Sequence, residues 1–424
     1  MVDPKGGRRP VIFIFITVLI DSVGFGLILP VLPQLIVELT GRNMGGAAAY
    51  GGWLAFSYAL VQFFAAPVLG GLSDRFGRRP VLLASLFALG VDYLVMGVAP
   101  TIGWLFLGRV VAGMAGASFT TAYAYLADVS TPDRRAQNFG LVGVAFGMGF
   151  IIGPAIGGLI GTLGPRAPFF AAATLALLNT AFGLFALPES LPPAARRTFE
   201  WSRANPLGTL LQLSKYPAVI WLLAAALFWQ LGHQVLPNVW SYYTIYKFHW
   251  STAAVGASLA VAGIIMVLGQ GVLIRWLIPR LGGDRPAAVL GMLFGAITYL
   301  GYAFSTQGWM MYVSLLAWLP AAVAYPSLNS LMSREIPPSA QGELQGGVAS
   351  LYGLSSILGP PLMTGLFGYF TSDRTAYIFP GAPFVAAALL VIVSVLLLNR
   401  GLRPAAALEP RASTPLTTDS KESL

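Results

Sequence analysis

Runs of about 20 apolar residues with almost no charge recur along this chain between short polar breaks, and that recurrence constrains the fold more than any other feature. Such a run crosses the hydrocarbon of a bilayer as a helix, because a helix satisfies its backbone donors and acceptors within the segment itself. Twelve spans are read from the sequence, near residues 11–39, 51–72, 81–99, 103–127, 138–161, 167–187, 217–246, 253–279, 287–305, 309–333, 346–371 and 376–399. Composition agrees, since 56% of the 424 residues are hydrophobic and only 10% are charged. The expected class is an all-α membrane protein.

The formal charge is +9, from 25 basic and 16 acidic side chains. The basic residues fall in alternate breaks, as orientation in a membrane requires, and not in a patch suited to nucleic acid. With both termini in the cytoplasm, the inner segments carry Lys5, Arg8, Arg9, Arg75, Arg78, Arg79, Arg134, Arg135, Arg196, Arg197, Arg203, Lys215, Arg275, Arg280, Arg285, Arg334, Arg400, Arg403, Arg411 and Lys421. The outer segments carry Arg42, Arg166, Lys247 and Arg374, and Arg109 alone lies deep inside a span. A multi-pass protein of a bacterial inner (plasma) membrane with both ends cytoplasmic is expected. Lys5, Arg8 and Arg9 ahead of an apolar run resemble a signal peptide. That run continues to about Leu39 without a small-residue cleavage site, so it is expected to remain as the first helix. The lack of cysteine excludes disulfides, thiol catalysis and cysteine metal sites.

The longest interior polar break, Pro188 to Pro217, divides the spans six and six. Sliding one half along the other brings three anchors into one register, 206 residues apart. Gly77-Arg78-Arg79-Pro80 lies over Gly283-Asp284-Arg285-Pro286, Gly140 over Gly346, and Gly147 with Gly153-Pro154 over Gly353 with Gly359-Pro360. Two pseudo-symmetric six-helix bundles follow, at 11–187 and 217–399. A cytoplasmic N-terminus (1–10), a cytoplasmic linker (188–216) and a cytoplasmic tail (400–424) complete the chain, the tail reading as disordered from its Pro, Ala, Ser and Thr content. Parallel repeats of this kind enclose a substrate cavity at mid-membrane.

Between the second and third spans, Gly70-x-x-x-Asp74-Arg75-x-Gly77-Arg78-Arg79 has to turn tightly, which its glycines permit. This loop resembles the signature of the major facilitator superfamily, and the resemblance covers residues 11–399. It implies a charge network that latches one conformation, with Asp128 at the end of the fourth span as the matching acid. Gly149-x-x-x-Gly153-Pro154-x-x-Gly157-Gly158 in the fifth span resembles the motif of drug-exporting antiporters in that superfamily. Its proline bends the helix and its glycines allow close helix approach. "DSVGFGLILPVLPQL", "SYALVQFFAAP", "SDRFGRRPVLL", "VDYL" and "FLGRVVAG" are similar to the tetracycline/proton antiporter family, strongly through the first six spans and less afterwards.

An ionisable group at mid-membrane costs roughly 2.5–3.5 kcal/mol on insertion scales, so each one needs a reason. There are three. Asp21 in the first span is neutral when protonated and charged when facing water, which would couple proton movement to substrate binding, and the matching acid of the resembled family belongs to its transport site; Asp92 in the third span also matches an acid of that family, which implies proton handling or attraction of a cationic substrate, the alternative being a structural acid near the outer end of its helix. Arg109 stays charged at any working pH and so acts on a neighbouring acid, Asp21 or Asp92, or serves only in a structural pair. Polar residues mark a cavity wall: Tyr58 and Gln62 in the second span, Gln230, His233 and Gln234 sharing a face of the seventh, and Tyr325 and Asn329 sharing one of the tenth. Trp240, Tyr242, Tyr243, Tyr246, Phe248 and Trp250 read as an interfacial aromatic belt.

Tetracycline exporters of the family carry an acid in the ninth helix and a histidine in the eighth. Here Val289 to Phe304 contains no acid and Ala253 to Ile278 no histidine. The expectation is a monomeric antiporter, with neither cofactor nor metal, exporting an amphipathic organic compound in exchange for protons; a proton-driven importer of a nutrient or siderophore is the alternative. Enzyme chemistry is not expected, for there is no GxxxxGK[ST], no HExxH and no cysteine, and only two histidines.

Overall fold

The computed structural model describes residues 8–116, 118–131, 133–199, 217–337, 340–373 and 375–402. The expectations for 1–7, for 200–216 of the linker and for the tail beyond 402 lie outside the described residues, as do the bases Lys5, Arg203, Lys215, Arg374, Arg403, Arg411 and Lys421.

Twelve long helices cross the molecule: α1 (Arg8–Ile28), α2 (Met44–Phe76), α3 (Arg78–Val98), α4 (Ile102–Val129), α5 (Arg135–Ile160), α6 (Ala167–Ala186), α7 (Pro217–His233 continued by Val235–Phe248), α8 (Thr252–Arg280), α9 (Asp284–Phe304), α10 (Gly308–Leu316 and Trp318–Arg334), α11 (Gln341–Phe370) and α12 (Ala382–Gly401). Ten are long and apolar enough to cross a membrane, and α10 joins them as a pair bent by 43°. The 30-residue α11 falls below that hydropathy because Ser350, Tyr352, Ser355, Ser356, Pro360 and Pro361 interrupt it, as suits a helix facing water on one side. No strand occurs among the described residues.

Several spans differ from their sequence limits. The first ends at Ile28 instead of near Leu39, because Pro30 lacks the donor that would continue the ladder; the chain turns and a separate short helix, Leu32–Thr40, starts with Pro33 in its first turn. The second begins at Met44, with Asn43 accepting a hydrogen bond from Gly46 N at 2.9 Å; the glycine-rich stretch before residue 51 is helix, used for close packing. The seventh breaks after His233, whose carbonyl Pro237 cannot bond.

Within the first half α1 packs on α5 and α6, α3 on α6 and α4, and α2 on α4; within the second half α7 packs on α12 and α11, and α9 on α12 and α10. The halves meet through α2 with α11 and α5 with α8. Those contacts concentrate on the side away from the chain ends, where Gly45 meets Thr371, Gly52 meets Thr364 and the Pro360 carbonyl, Gly158 meets Thr252 and Gly256, and Ser241 Oγ donates to Leu29 O at 2.9 Å. On the side of residues 8 and 402 the same helices carry exposed faces, with Gly140, Gly143 and Val144 on α5 and Gln270, Gly271 and Val272 on α8. This half-closed arrangement leaves the space between the halves open toward the chain ends.

The repeat also carries a matched ion pair with its charges exchanged. In the first half Arg78 at the start of α3 bonds Asp128 at the end of α4 at 3.1 Å. The positions 206 further on are Asp284 at the start of α9 and Arg334 at the end of α10, and these bond each other at 2.5 Å. Gly77 and Gly283 precede the two helices with φ of +109° and +125°, a conformation that only glycine adopts without strain.

Candidate functional site

Asp21, Asp92 and Arg109 come from α1, α3 and α4. Arg109 Nη2 donates to Asp92 Oδ2 at 2.7 Å and reaches Met96 Sδ at 2.8 Å, so the arginine's ion-pair partner is Asp92. Asp92 is 1% exposed, and neither its Oδ1 nor Arg109 Nε has a hydrogen-bond partner among the described residues. Gly108 admits this approach of α3 to α4, since a Cβ there would overlap Asp92 Oδ1. Tyr58 lies under the guanidinium, its ring centre 5.6 Å from Arg109 Cζ. Its hydroxyl accepts from Gln62 Nε2 at 3.0 Å, and the same amide donates to Gly116 O at 3.0 Å, a carbonyl exposed where α4 is interrupted after Ala115. Asp21 is half-buried one turn before Gly24, where Tyr93 packs, and its charge reaches both Tyr58 and Tyr93. Five of the sequence candidates thus form one cluster.

The wall opposite is polar but carries no charge. Gln230 bonds Tyr325, Gln234 Nε2 donates to Ser356 Oγ at 3.0 Å, and Gln345 Nε2 lies 3.5 Å from Asn329 Oδ1. Tyr352, absent from the sequence candidates, bonds Ser356, is 55% exposed, and is close enough for electrostatic coupling to both Tyr58 and Tyr325. A tyrosine and a serine four apart in a weakly apolar helix are the signal that would have found it.

His233 does not share a wall with Gln230 and Gln234. It stacks on Trp318 at 5.3 Å, beside Trp229, and faces the Tyr299 hydroxyl at 3.3 Å, on the side of the helix turned toward α9 and α10. The aromatic residues expected as an interfacial belt are largely internal: Trp240 and Tyr243 are at most 2% exposed, with Trp240 Nε1 donating to Ser258 Oγ at 2.9 Å and the Tyr243 hydroxyl donating to Tyr302 O at 2.5 Å. The outer end of α7 is clamped between α9 and α12, which is why they are buried.

The signature loop gathers its charges on Arg78. This guanidinium bonds Asp74 at 2.6 Å, Asp128 at 3.1 Å and Ser73 Oγ at 2.6 Å. The segment after α6 closes the network: Glu189 accepts from the Arg78 and Arg79 amides at 2.9 and 3.3 Å, Ser190 donates to Asp128 at 3.1 Å, and Arg79 Nη2 donates to Leu184 O at 2.6 Å. Glu189 was not among the candidates, though an isolated acid directly after the sixth span, beside an arginine-rich loop, is a usable sign. Arg75 turns away onto Phe76, and Gly70 has only Thr120 near it. Because Arg78 holds two carboxylates, Arg78→Ala should cost about 2–3 kcal/mol in a detergent melt, more than Arg79→Ala, which loses one carbonyl bond.

The fifth-span motif presses α5 onto α1. A Cβ at Gly149 would overlap Ser22, at Gly153 the Val23 carbonyl and Gly26, and at Gly157 the Leu27 carbonyl; Pro154 itself packs against Gly26. Gly158 faces the other way, onto Gly256 of α8. The position of α1, and with it of Asp21, is therefore set by this motif.

A twelve-helix fold in two related halves, enclosing ionisable side chains at mid-span, defines a membrane transporter and not an enzyme. The chain belongs to the Major Facilitator Superfamily, whose sequence pattern it matches over residues 14–360. It is 38% identical over 394 residues to a class C tetracycline resistance protein of Escherichia coli, covering 93% of this chain and 97% of that one. It is 37% identical to a class G tetracycline resistance protein of Vibrio anguillarum, covering 93% and 98%. In fold it is similar to the human organic anion transporter MFSD10 (TM-score 0.67, 24% identity, 93% of this chain and 100% of that) and to the nucleoside transporter NupG (TM-score 0.74, 13% identity, 93% and 100%).

Proposed function

We propose that this protein exports an amphipathic organic compound in exchange for protons, with tetracyclines the first compounds to test. The observation that carries this reading is the cluster of Asp21, Asp92, Arg109, Tyr58 and Gln62 at mid-span, beside the space between the halves. The names of the tetracycline resistance relatives support it, and they lend nothing to import.

In this reading residues 11–187 and 217–399 are two rocking units joined by the linker 188–216, in a bacterial inner membrane with both termini cytoplasmic, and the protein acts as a monomer. Asp21 and Asp92 carry the exchanged protons over the transport cycle, and Arg109 holds Asp92 through their direct bond. Tyr58, Gln62, Gln230, Gln234, Tyr325 and Asn329, joined by Tyr352, contact the substrate, while His233 shapes the wall behind them. Gly70, Asp74, Arg75, Gly77, Arg78, Arg79 and Asp128 form the latch, and Gly149, Gly153, Pro154, Gly157 and Gly158 hold α1 in place. With no acid between Val289 and Phe304 of α9 and no histidine in α8, proton coupling resides in the first half, and the neutral second-half wall sets which compounds fit.

Proteoliposomes holding an acidic lumen test this. Tetracycline should accumulate in vesicles whose protein is oriented with its cytoplasmic face outward, its entry should alkalinise the lumen, and Asp21→Asn should stop both. Proton and drug moving in the same direction, or coupling that survives Asp21→Asn, would refute the scheme.

A further inference from the structure

The outer face of α9 carries a groove that the central site does not use. Its volume is about 380 Å³, and its lining is Leu281, Pro286, Val289, Leu290 and Leu293 with Arg285 at one end. On the opposite face of α9, Ala287, Ala288, Gly291 and Met292 are buried within the second half, so the groove looks outward, toward lipid. Arg285 is exposed and forms no hydrogen bond or ion pair with any described residue.

The repeat shows what is unusual about that arginine. The position 206 residues earlier is Arg79, whose guanidinium is engaged by the carbonyl of Leu184 at the end of α6. The second half keeps the cation without its acceptor. Across the turn at Gly282 and Gly283, Arg280 lies 3.9 Å above the Trp276 ring, and such a pair sits at headgroup depth. A second, larger lipid-side groove of about 590 Å³, between α2 and α4 and lined by residues such as Leu60, Phe64, Val68 and Met114, contains no charged residue. Orientation in the membrane explains a basic residue in the α8–α9 turn. It does not explain an arginine released from its partner and set at the mouth of an apolar groove.

We propose that this groove binds one anionic phospholipid from the leaflet on the side of the chain ends, an acyl chain lying along Leu281, Val289, Leu290 and Leu293 and the phosphate held by Arg285, with Arg280 adding field across the turn. The fork of a guanidinium matches a phosphate diester, and the open apolar groove gives an acyl chain van der Waals contact along the helix. A zwitterionic headgroup presents the same phosphate with a compensating ammonium and gains less, and inorganic phosphate has no chain to bury. Basic pockets among transmembrane helices hold anionic headgroups by the same two contributions.

Native mass spectrometry of the full-length protein, titrated with phosphatidylglycerol, phosphatidylethanolamine or inorganic phosphate, tests the assignment. One phosphatidylglycerol should be retained preferentially, and inorganic phosphate should not compete with it. Arg285→Gln should weaken phosphatidylglycerol about fivefold, the worth of one interfacial arginine. Leu293→Trp should weaken it by obstructing the channel with the charge intact, whereas Phe64→Trp in the uncharged groove should leave it unchanged. Leu293 and Phe64 are 44% and 54% exposed and Arg285 is exposed too, so all three variants should fold, which a melt verifies. Equal affinity of Arg285→Gln and the parent protein, equal losses at Leu293 and Phe64, or displacement of the lipid by inorganic phosphate would overturn the proposal.

Discussion

Arg109→Ala is expected to destabilise the folded protein by about 3–5 kcal/mol and to abolish transport, while pairing it with Asp92→Asn restores most of the stability and none of the transport. The asymmetry comes from the burial of Asp92. Its carboxylate has one hydrogen-bond donor among the described residues, Arg109 Nη2, and only 1% of its surface is exposed. Without the guanidinium, the carboxyl either stays charged among apolar helices or takes up a proton, and both cost free energy. Neutralising both groups removes that penalty, because neither a bare amide nor an absent guanidinium demands a counter-ion. Asp92→Asn alone should cost less than Arg109→Ala, since Arg109 keeps Met96 and the Tyr58 ring. Transport fails in all three variants if the pair carries part of the proton cycle. Denaturant melts in detergent give the stability cycle, and drug counterflow in proteoliposomes gives the activity. A double variant that still transports would reduce the pair to a structural element, and an Arg109→Ala protein as stable as its parent would contradict the energetic argument.

Most of the architecture was legible because membrane helices are selected for one bulk property, apolar length, that a sequence displays directly. The repeat was legible for a different reason: the turns before α3 and α9 both need a glycine at positive φ, and such positions leave matched letters. The same register, carried on to Arg78 and Asp128, leads to Asp284 and Arg334, a pair hidden because its charges are exchanged. Helix ends were less legible. Leu29 to Leu39 stays apolar across a break made by one missing donor, and the second span, read from residue 51, starts at Met44, with Gly45 and Gly52 letting α2 touch α11. In the site, spacing brought together Tyr58 and Gln62, which lie on one uninterrupted helix. It failed for His233, which lies on the same helix as Gln230 but is turned onto Trp318 and Tyr299. Tyr352 and Glu189 each carry a local sign, a serine four residues on and a place directly after the sixth span, but their partners lie on elements distant in sequence that no local pattern names.

The other large effect is expected at Gly52 and Gly256, the two glycines that let the halves touch on the side away from the chain ends. Gly256 of α8 lies against the Pro154 carbonyl and Gly158 of α5, and Gly52 of α2 lies against the Pro360 carbonyl and Thr364 of α11. Pro154 and Pro360 are matching positions of the repeat, so the gate is closed twice by one device, a proline carbonyl in each half received by a glycine of the other. A side chain at either glycine has no room in this arrangement, but that clash vanishes once the halves part there. Overpacking of this kind costs about 1–3 kcal/mol per site, incurred in the closed state alone. Gly52→Val with Gly256→Val should therefore shift the balance toward opening on that side by about 30-fold or more. The absence of cysteine makes the measurement clean, because Ser241→Cys then supplies the one thiol. Ser241 is 9% exposed and bonded to Leu29 across the gate, so this thiol should react slowly with an impermeant maleimide in the otherwise unaltered protein and about 30-fold faster beside the two valines. Gly140→Val, at a position with nothing within 4 Å, should change neither labelling nor transport. Equal labelling with and without the valines would show that the glycine contacts do not hold the gate, and the closing force would then have to come from Thr371, Thr364 and their neighbours.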